Sequence, residues 1–195
     1  MLVKKLIPLQ FFQNKDVNYI AQSLVGKYLF SSINNNLTGG IILETEAYCG
    51  LTDQACHAYL NKHTERTKIF YHKGGISYVY LCYGIHSLFN IITGPKDHPQ
   101  AVLIRSIQPT HGREIMQIRR GENISEKNLV NGPGKLTQAL GINRDHNNLA
   151  LTKKNSLWLE DRGLNLPYEA TPRIGIDYAG QDAKLPWRYV AKGNL

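Results

Sequence analysis

Glu44, Glu46 and Tyr48, in the stretch "GGIILETEAYCG" at residues 39–50, follow an apolar run in a chain that is otherwise basic. Side chains alternate across an extended strand, so these three share one face while Thr45 and Ala47 share the other. A carboxylate at the edge of a hydrophobic strand is costly unless it is paired or does chemistry. Pairing with Lys or Arg is the ordinary reading of two strand-end glutamates. The neighbours favour chemistry. His57 comes in the next loop, and then a tyrosine-dense segment, "GGISYVYLCYGIHSLFNIITG". There Tyr78 and Tyr80 fall on one strand face, as core or cross-strand pairs would. Tyr83 falls beside a tight turn, where a large aromatic is a candidate contact residue.

Charge says what it would contact. The net charge is +8, with 23 Lys and Arg against 15 Asp and Glu. Residues 61–120 hold nine basic and three acidic side chains, whereas residues 1–60 hold four of each. A basic surface interleaved with aromatics fits nucleic acid, since Lys and Arg neutralise phosphates while rings stack on bases or wedge between them. A carboxylate, an aromatic pocket and a wedge together point to an enzyme that takes a base out of the helix. The glutamate would then activate a water.

These residues have to be positioned by a fold. Val17, Ile20, Ala21, Leu24 and Val25 predict a helix over 17–25, with Asp16 as N-cap and Gly26 at C′. "KYLF" and "GGIILETEAY" flank "SINNNLT" as an antiparallel hairpin, and residues 49–69 read as a polar loop. Two strands meet near Gly84, and "AVLIRSIQP" is a strand ended by Pro109. Helices are expected over 111–120 and 133–140, with Pro133 in a first turn. "LWLED", "PRIGID" and "WRYVAK" read as short strands. The sum is an α+β fold, a single compact domain over residues 1–195, built around a mainly antiparallel, curved sheet with surrounding helices and a protruding hairpin.

The longest apolar stretches fall short of the roughly 20 residues of a spanning helix, and the N-terminus lacks a signal-peptide pattern. No membrane partner and a cytoplasmic location, nucleoid-associated in a bacterial cell, are expected. Cys49, Cys56 and Cys82 are an odd number, which argues against a disulfide framework. Together with His57 they could be drawn as a zinc site of a nucleobase deaminase. That chemistry needs H-x-E and P-C-x-x-C signatures, which are missing. No metal ligand is assigned.

In order and spacing, "ETEAYxGxxDxAxH", "YVYxxYGxxxxxN", "AVLIRxIQP" and "NGPGKLTQALGI" closely resemble the 3-methyladenine DNA glycosylases of the mammalian alkyladenine type. "PRIGIDYAG" and "WRYV" also fit, so the resemblance runs from about residue 8 to 192. The signature of the helix-hairpin-helix alkylbase glycosylases is not found. The resemblance implies a fold similar to the C-terminal domain of methionyl-tRNA formyltransferases and an enzyme without metal or organic cofactor. It implies a monomer acting on damaged double-stranded DNA and leaving an abasic site. Carried over by motif, Glu46 is the water-activating base and Arg105 helps hold that water. Tyr48, His57 and Tyr80 stack the flipped base, with His57 near its hydrogen-bonding edge. Asn90 shapes the pocket floor and disfavours a guanine-type amine, and Tyr83 is the intercalating wedge. Glu44 receives no chemistry. The loop after His57 keeps a T-x-R pattern at Thr64 and Arg66 and an aromatic at Phe70, but Lys73-Gly74-Gly75 replaces the expected proline-glycine ending. The second reading is a non-catalytic nucleic-acid-binding module, which basic α+β domains often are.

Overall fold

The computed structural model describes residues 5–121 and 124–193. One antiparallel sheet organises them. Its strands are β1 (Lys5–Leu6), β2 (Tyr28–Ile33), β3 (Asn36–Cys49), β4 (Ile76–Cys82), β5 (His86–Thr93), β6 (Gln100–His111), β7 (Leu157–Asp161), β8 (Tyr168–Thr171) and β9 (Arg188–Ala191). They run in the order β1-β7-β2-β3-β6-β5-β4, with β9 paired to both β3 and β8. Four α-helices among the described residues accompany the sheet: α1 (Val17–Leu24), α2 (Arg113–Arg120), α3 (Glu126–Leu129) and α4 (Pro133–Leu140). The expected α+β architecture is observed.

The helix α1 forms for the reasons its sequence announces. Val17, Ile20, Ala21 and Leu24 are buried along one stripe, and the Asp16 carboxylate accepts from the Asn18 and Tyr19 amides at 2.9 and 3.0 Å. Such a cap is worth about 1 kcal/mol. The chain leaves through Gly26 at φ +88°, where an added Cβ would lie 2.8 Å from the Leu164 carbonyl oxygen, so only glycine fits. The helix packs on β3, and Thr45 Oγ1 donates to the Ala21 carbonyl at 2.8 Å. With Ala47 in the main core, this face of β3 is anchored and the opposite face, bearing Glu46 and Tyr48, is turned to the site. Besides pairing with β6 along one edge, the strand β3 is long enough to serve two partners along the other. Its first half pairs with β2 through Asn34-Asn35, both at positive φ as a primed hairpin turn needs, and its second half pairs with β9. Irregularities on either side of Glu44 bend the strand where one partner gives way to the other.

Three expectations are corrected. The strand β6 does not end at Pro109 but runs on to His111. Its pairing with β5 stops at Leu103, so the missing proline N–H lies beyond the doubly paired segment, opposite the irregularity at Gly39–Gly40 in β3. "PRIGID" is not a strand. Its alternating isoleucines imitate one, but Gly175 has φ +74° and the segment is a loop that serves the site. The region 49–69 is less polar in space than in sequence. Cys56, Ala58, Ile69 and Phe70 are buried with Tyr78, Ile92 and Ala101 in a second small core that supports the site from below.

Candidate active site

Several segments converge on a cavity of about 690 Å³. The strand β3 contributes Glu46 and Tyr48, the β3–β4 connection His57 and Arg66, and the β4–β5 hairpin Tyr78, Tyr80, Tyr83 and Asn90. From β6 comes Arg105, and from the loop before residue 177 come Ile174 and its neighbours. All seven residues singled out in the sequence line it. The volume lies within the range of small-molecule sites.

Glu46 is fully buried, and three donors converge on it. The Tyr48 hydroxyl donates to Oε2 at 2.7 Å, the Ile174 amide donates to Oε1 at 3.0 Å, and Arg105 Nη1 lies 3.3 Å from Oε1. Burial, and then the charge and hydrogen bond of Glu46, push the Tyr48 hydroxyl well above the usual phenol range, so it remains a donor. Glu44 differs from Glu46 in its partners. Its Oε1 accepts from Arg105 Nε at 2.9 Å and from Arg188 Nε, so it fixes the guanidinium whose other nitrogen reaches Glu46. The two glutamates therefore share one arginine, one of them anchoring it and the other facing the cavity.

Beneath Tyr48 lies a buried ion pair that sequence reading did not find. Arg173 donates to both oxygens of Asp53 at 2.6 and 2.8 Å and to the Ala47 carbonyl at 2.8 Å. Its Cζ stands 4.8 Å from the Tyr48 ring centroid and 5.3 Å from that of Trp187. Asp53 also accepts from the Ala55 amide, which closes the turn that leads to His57. The signal for this pair was present as the D of "ETEAYxGxxDxAxH" and the R of "PRIGID". Nothing in either motif says that two residues 120 positions apart come together.

The aromatic wall is held by hydrogen bonds that determine a tautomer. Arg66 Nη2 donates to His57 Nε2 at 3.2 Å, so Nε2 is the acceptor and Nδ1 carries the proton it gives to the Tyr78 hydroxyl at 2.9 Å. Burial, assisted by the Arg66 charge, lowers the His57 pKa to about 4, which keeps the ring neutral. Tyr80 makes an edge contact with His57 at 4.7 Å between centroids and stacks on Tyr78 at 5.3 Å. Asn90 is buried, and its Nδ2 donates to the carbonyls of Tyr78 and Leu88 at 3.3 and 3.5 Å. This leaves Oδ1 without a protein partner among the described residues.

Tyr83 stands apart from these walls. It is 91% exposed at the hairpin tip and has φ +51°. A bulky residue in the left-handed region costs on the order of 1 kcal/mol and is tolerated where function holds it. Ile85 beside it is 74% exposed. Arg120 and Lys135 also line the cavity, and the latter sits in the first turn of α4. The cavity therefore carries an aromatic tip and basic groups as well as one buried carboxylate.

Cys49, Cys56 and Cys82 are free, and burial pushes the Cys56 thiol up to about 12. Among the described residues no group of three or more His, Cys, Asp and Glu side chains is placed to hold a metal ion. No helix there is long and apolar enough to cross a membrane.

Comparison with known proteins gives the same outline. A Chlamydia felis protein named "Putative 3-methyladenine DNA glycosylase" is 46% identical over 186 residues, 95% of each chain. Proteins of the same name from Bdellovibrio bacteriovorus and Borreliella burgdorferi are 40% identical over 195 residues and 42% over 188, covering 95% or more of every chain. The family model described as methylpurine-DNA glycosylase matches residues 10–195. At that identity and coverage, the chain belongs to the methylpurine-DNA glycosylase family.

Proposed function

We propose that the chain excises alkylated purines, such as 3-methyladenine and 7-methylguanine, and also hypoxanthine and etheno-adenine, from duplex DNA as a monomer, through a water activated by Glu46. The family makes it a monofunctional DNA glycosylase, a hydrolase of base excision repair. The observation that carries the finer reading is the fully buried Glu46 carboxylate facing a cavity walled by Tyr48, His57 and Tyr80 and fringed with basic groups. In this reading Tyr83 fills the gap left in the duplex while the flipped base stacks on the aromatic walls.

Breaking the N-glycosidic bond develops positive charge on the sugar, which a nearby carboxylate stabilises while it takes a proton from the attacking water. Arg105 is suited to hold that water, because Glu44 binds its Nε and leaves Nη1 directed toward Glu46. Asn90 at the pocket floor would oppose a guanine-type exocyclic amine. An N3- or N7-alkylated purine already carries positive charge and leaves readily.

The test is release of base from a duplex holding a single methylated purine or hypoxanthine. Wild type is expected to leave an abasic site, and Glu46→Gln to be slower by roughly 10²–10⁴-fold. Full activity in that variant, or no release by wild type, defeats the assignment. A pure binding module would bind the duplex and release nothing.

A further inference from the structure

Arg66 lines the cavity with a charge that the reaction as described does not use. Its place is fixed by the turn that carries it. The Thr64 and Thr67 amides each donate to the other's hydroxyl, at 2.8 and 3.2 Å, and Thr67 Oγ1 donates to the Lys62 carbonyl at 2.6 Å. From that turn the guanidinium reaches three aromatic groups. It donates to His57 Nε2 at 3.2 Å and to the Tyr78 hydroxyl at 3.1 Å, and its Cζ lies 4.9 Å from the Tyr80 centroid. It takes part in none of the ion pairs among the described residues. Adjacent Glu65 is bound to Lys68 at 2.6 Å instead. Both ring nitrogens of His57 are also occupied by protein partners, so its imidazole edge offers no free hydrogen bond to a base.

We propose that Arg66 is a specificity-determining residue that shifts the site toward neutral purines and away from cationic ones; this rests on the glycosylase reading above. Aromatic walls alone would favour a cationic base. A guanidinium on the Tyr80 ring opposes that preference. When the bond from the sugar to the purine nitrogen breaks, the electron pair leaves with the base. The water oxygen bonds to the sugar carbon, and its proton passes to Glu46. A base that was neutral thereby gains negative charge, which the guanidinium stabilises until solvent protonates it. Measured from the unflipped duplex, a base that was cationic reaches the transition state neutral and gains nothing, because the repulsion relieved on bond breaking only cancels the cost of bringing the cation beside the guanidinium. At a separation of about 6 Å and an effective dielectric between those of a protein surface and water, one unit charge changes this discrimination roughly tenfold.

The experiment compares single-turnover release of 7-methylguanine and of hypoxanthine from matched duplexes, at enzyme concentrations below saturation so that capture of the base is included in the rate, by wild type, Arg66→Gln and Arg66→Lys. Intrinsic lability cancels because the comparison is between variants. Arg66→Gln is expected to raise the ratio of cationic to neutral base release about tenfold, and Arg66→Lys to stay within about threefold of wild type. An unchanged ratio in Arg66→Gln overturns the proposal. So does an equal rise in both variants, which would assign the effect to the hydrogen-bonded fork rather than the charge. Release of neither base by wild type defeats the glycosylase reading itself and this proposal with it.

Discussion

Replacing Arg173 by Met removes the support beneath Tyr48 and should unfold the protein more readily than any change at the cavity surface. Both side chains of the Arg173–Asp53 pair are fully buried. The substitution deletes two bonds to Asp53 and those to the carbonyls of Ala47 and Asp182, along with the contacts to the Tyr48 and Trp187 rings. Asp53 is then left in the interior with only backbone amides, chiefly that of Ala55, to satisfy its charge. Breaking a buried pair in this way costs about 3–5 kcal/mol. For a chain of this size that corresponds to a fall of about 10 °C in Tm. Urea unfolding followed by fluorescence and by circular dichroism gives the change in midpoint and shows whether the slope is preserved. Removing Asp53 as well, in an Arg173→Met/Asp53→Leu double variant, eliminates the stranded charge. Its loss of stability should fall short of the sum of the single losses by about 2 kcal/mol or more. A loss below about 1 kcal/mol in Arg173→Met, or strict additivity in the double variant, refutes the view that this pair holds the loop and β3 together.

Other outcomes follow from the same geometry. Glu44→Gln loosens Arg105 without removing the buried Glu46 carboxylate, so base release should slow by about tenfold, far less than in Glu46→Gln; equal losses would abolish the distinction between the two glutamates. Tyr83→Ala should weaken excision from duplex DNA while sparing a substrate whose lesion is already unpaired, and an equal drop on both would remove the wedge role. His57 has its pKa lowered from 6.5 to about 4, so the unfolded chain binds its proton first. Its contribution to stability is therefore complete above about pH 6.5 and is lost as pH falls toward 4. Unfolding titrations over that window should show a shallower pH dependence in His57→Gln than in wild type, and parallel curves would contradict a neutral, half-buried imidazole.

Much of the site could be read along the chain because its residues come from short extended segments. Strand alternation places Glu46 and Tyr48 on one face, and Tyr78 and Tyr80 on another. The tight turn at Gly84 puts Tyr83 at a tip, and a capped apolar stripe yields α1. Each of these depends on neighbours a few residues away, which a period of 2 or 3.6 records directly. "PRIGID" imitates a strand for the same reason. Its isoleucines alternate like those of a strand, whereas its conformation is dictated by Arg173 reaching Asp53 and by the Ile174 amide reaching Glu46.

What only the tertiary structure decided is who pairs with whom. Sequence spacing leaves Glu44 and Glu46 equivalent. They differ because β9 brings Arg188 against one and the 172–176 loop brings a backbone amide against the other. The tautomer of His57 is set by Arg66 and Tyr78, nine and 21 residues away. Burial of a charge is tolerable only when its partners arrive in the right geometry, and those partners are gathered from across the whole chain. The residue types and their local periods determined the groups available to this protein, and the packing of distant segments determined which carboxylate faces the cavity.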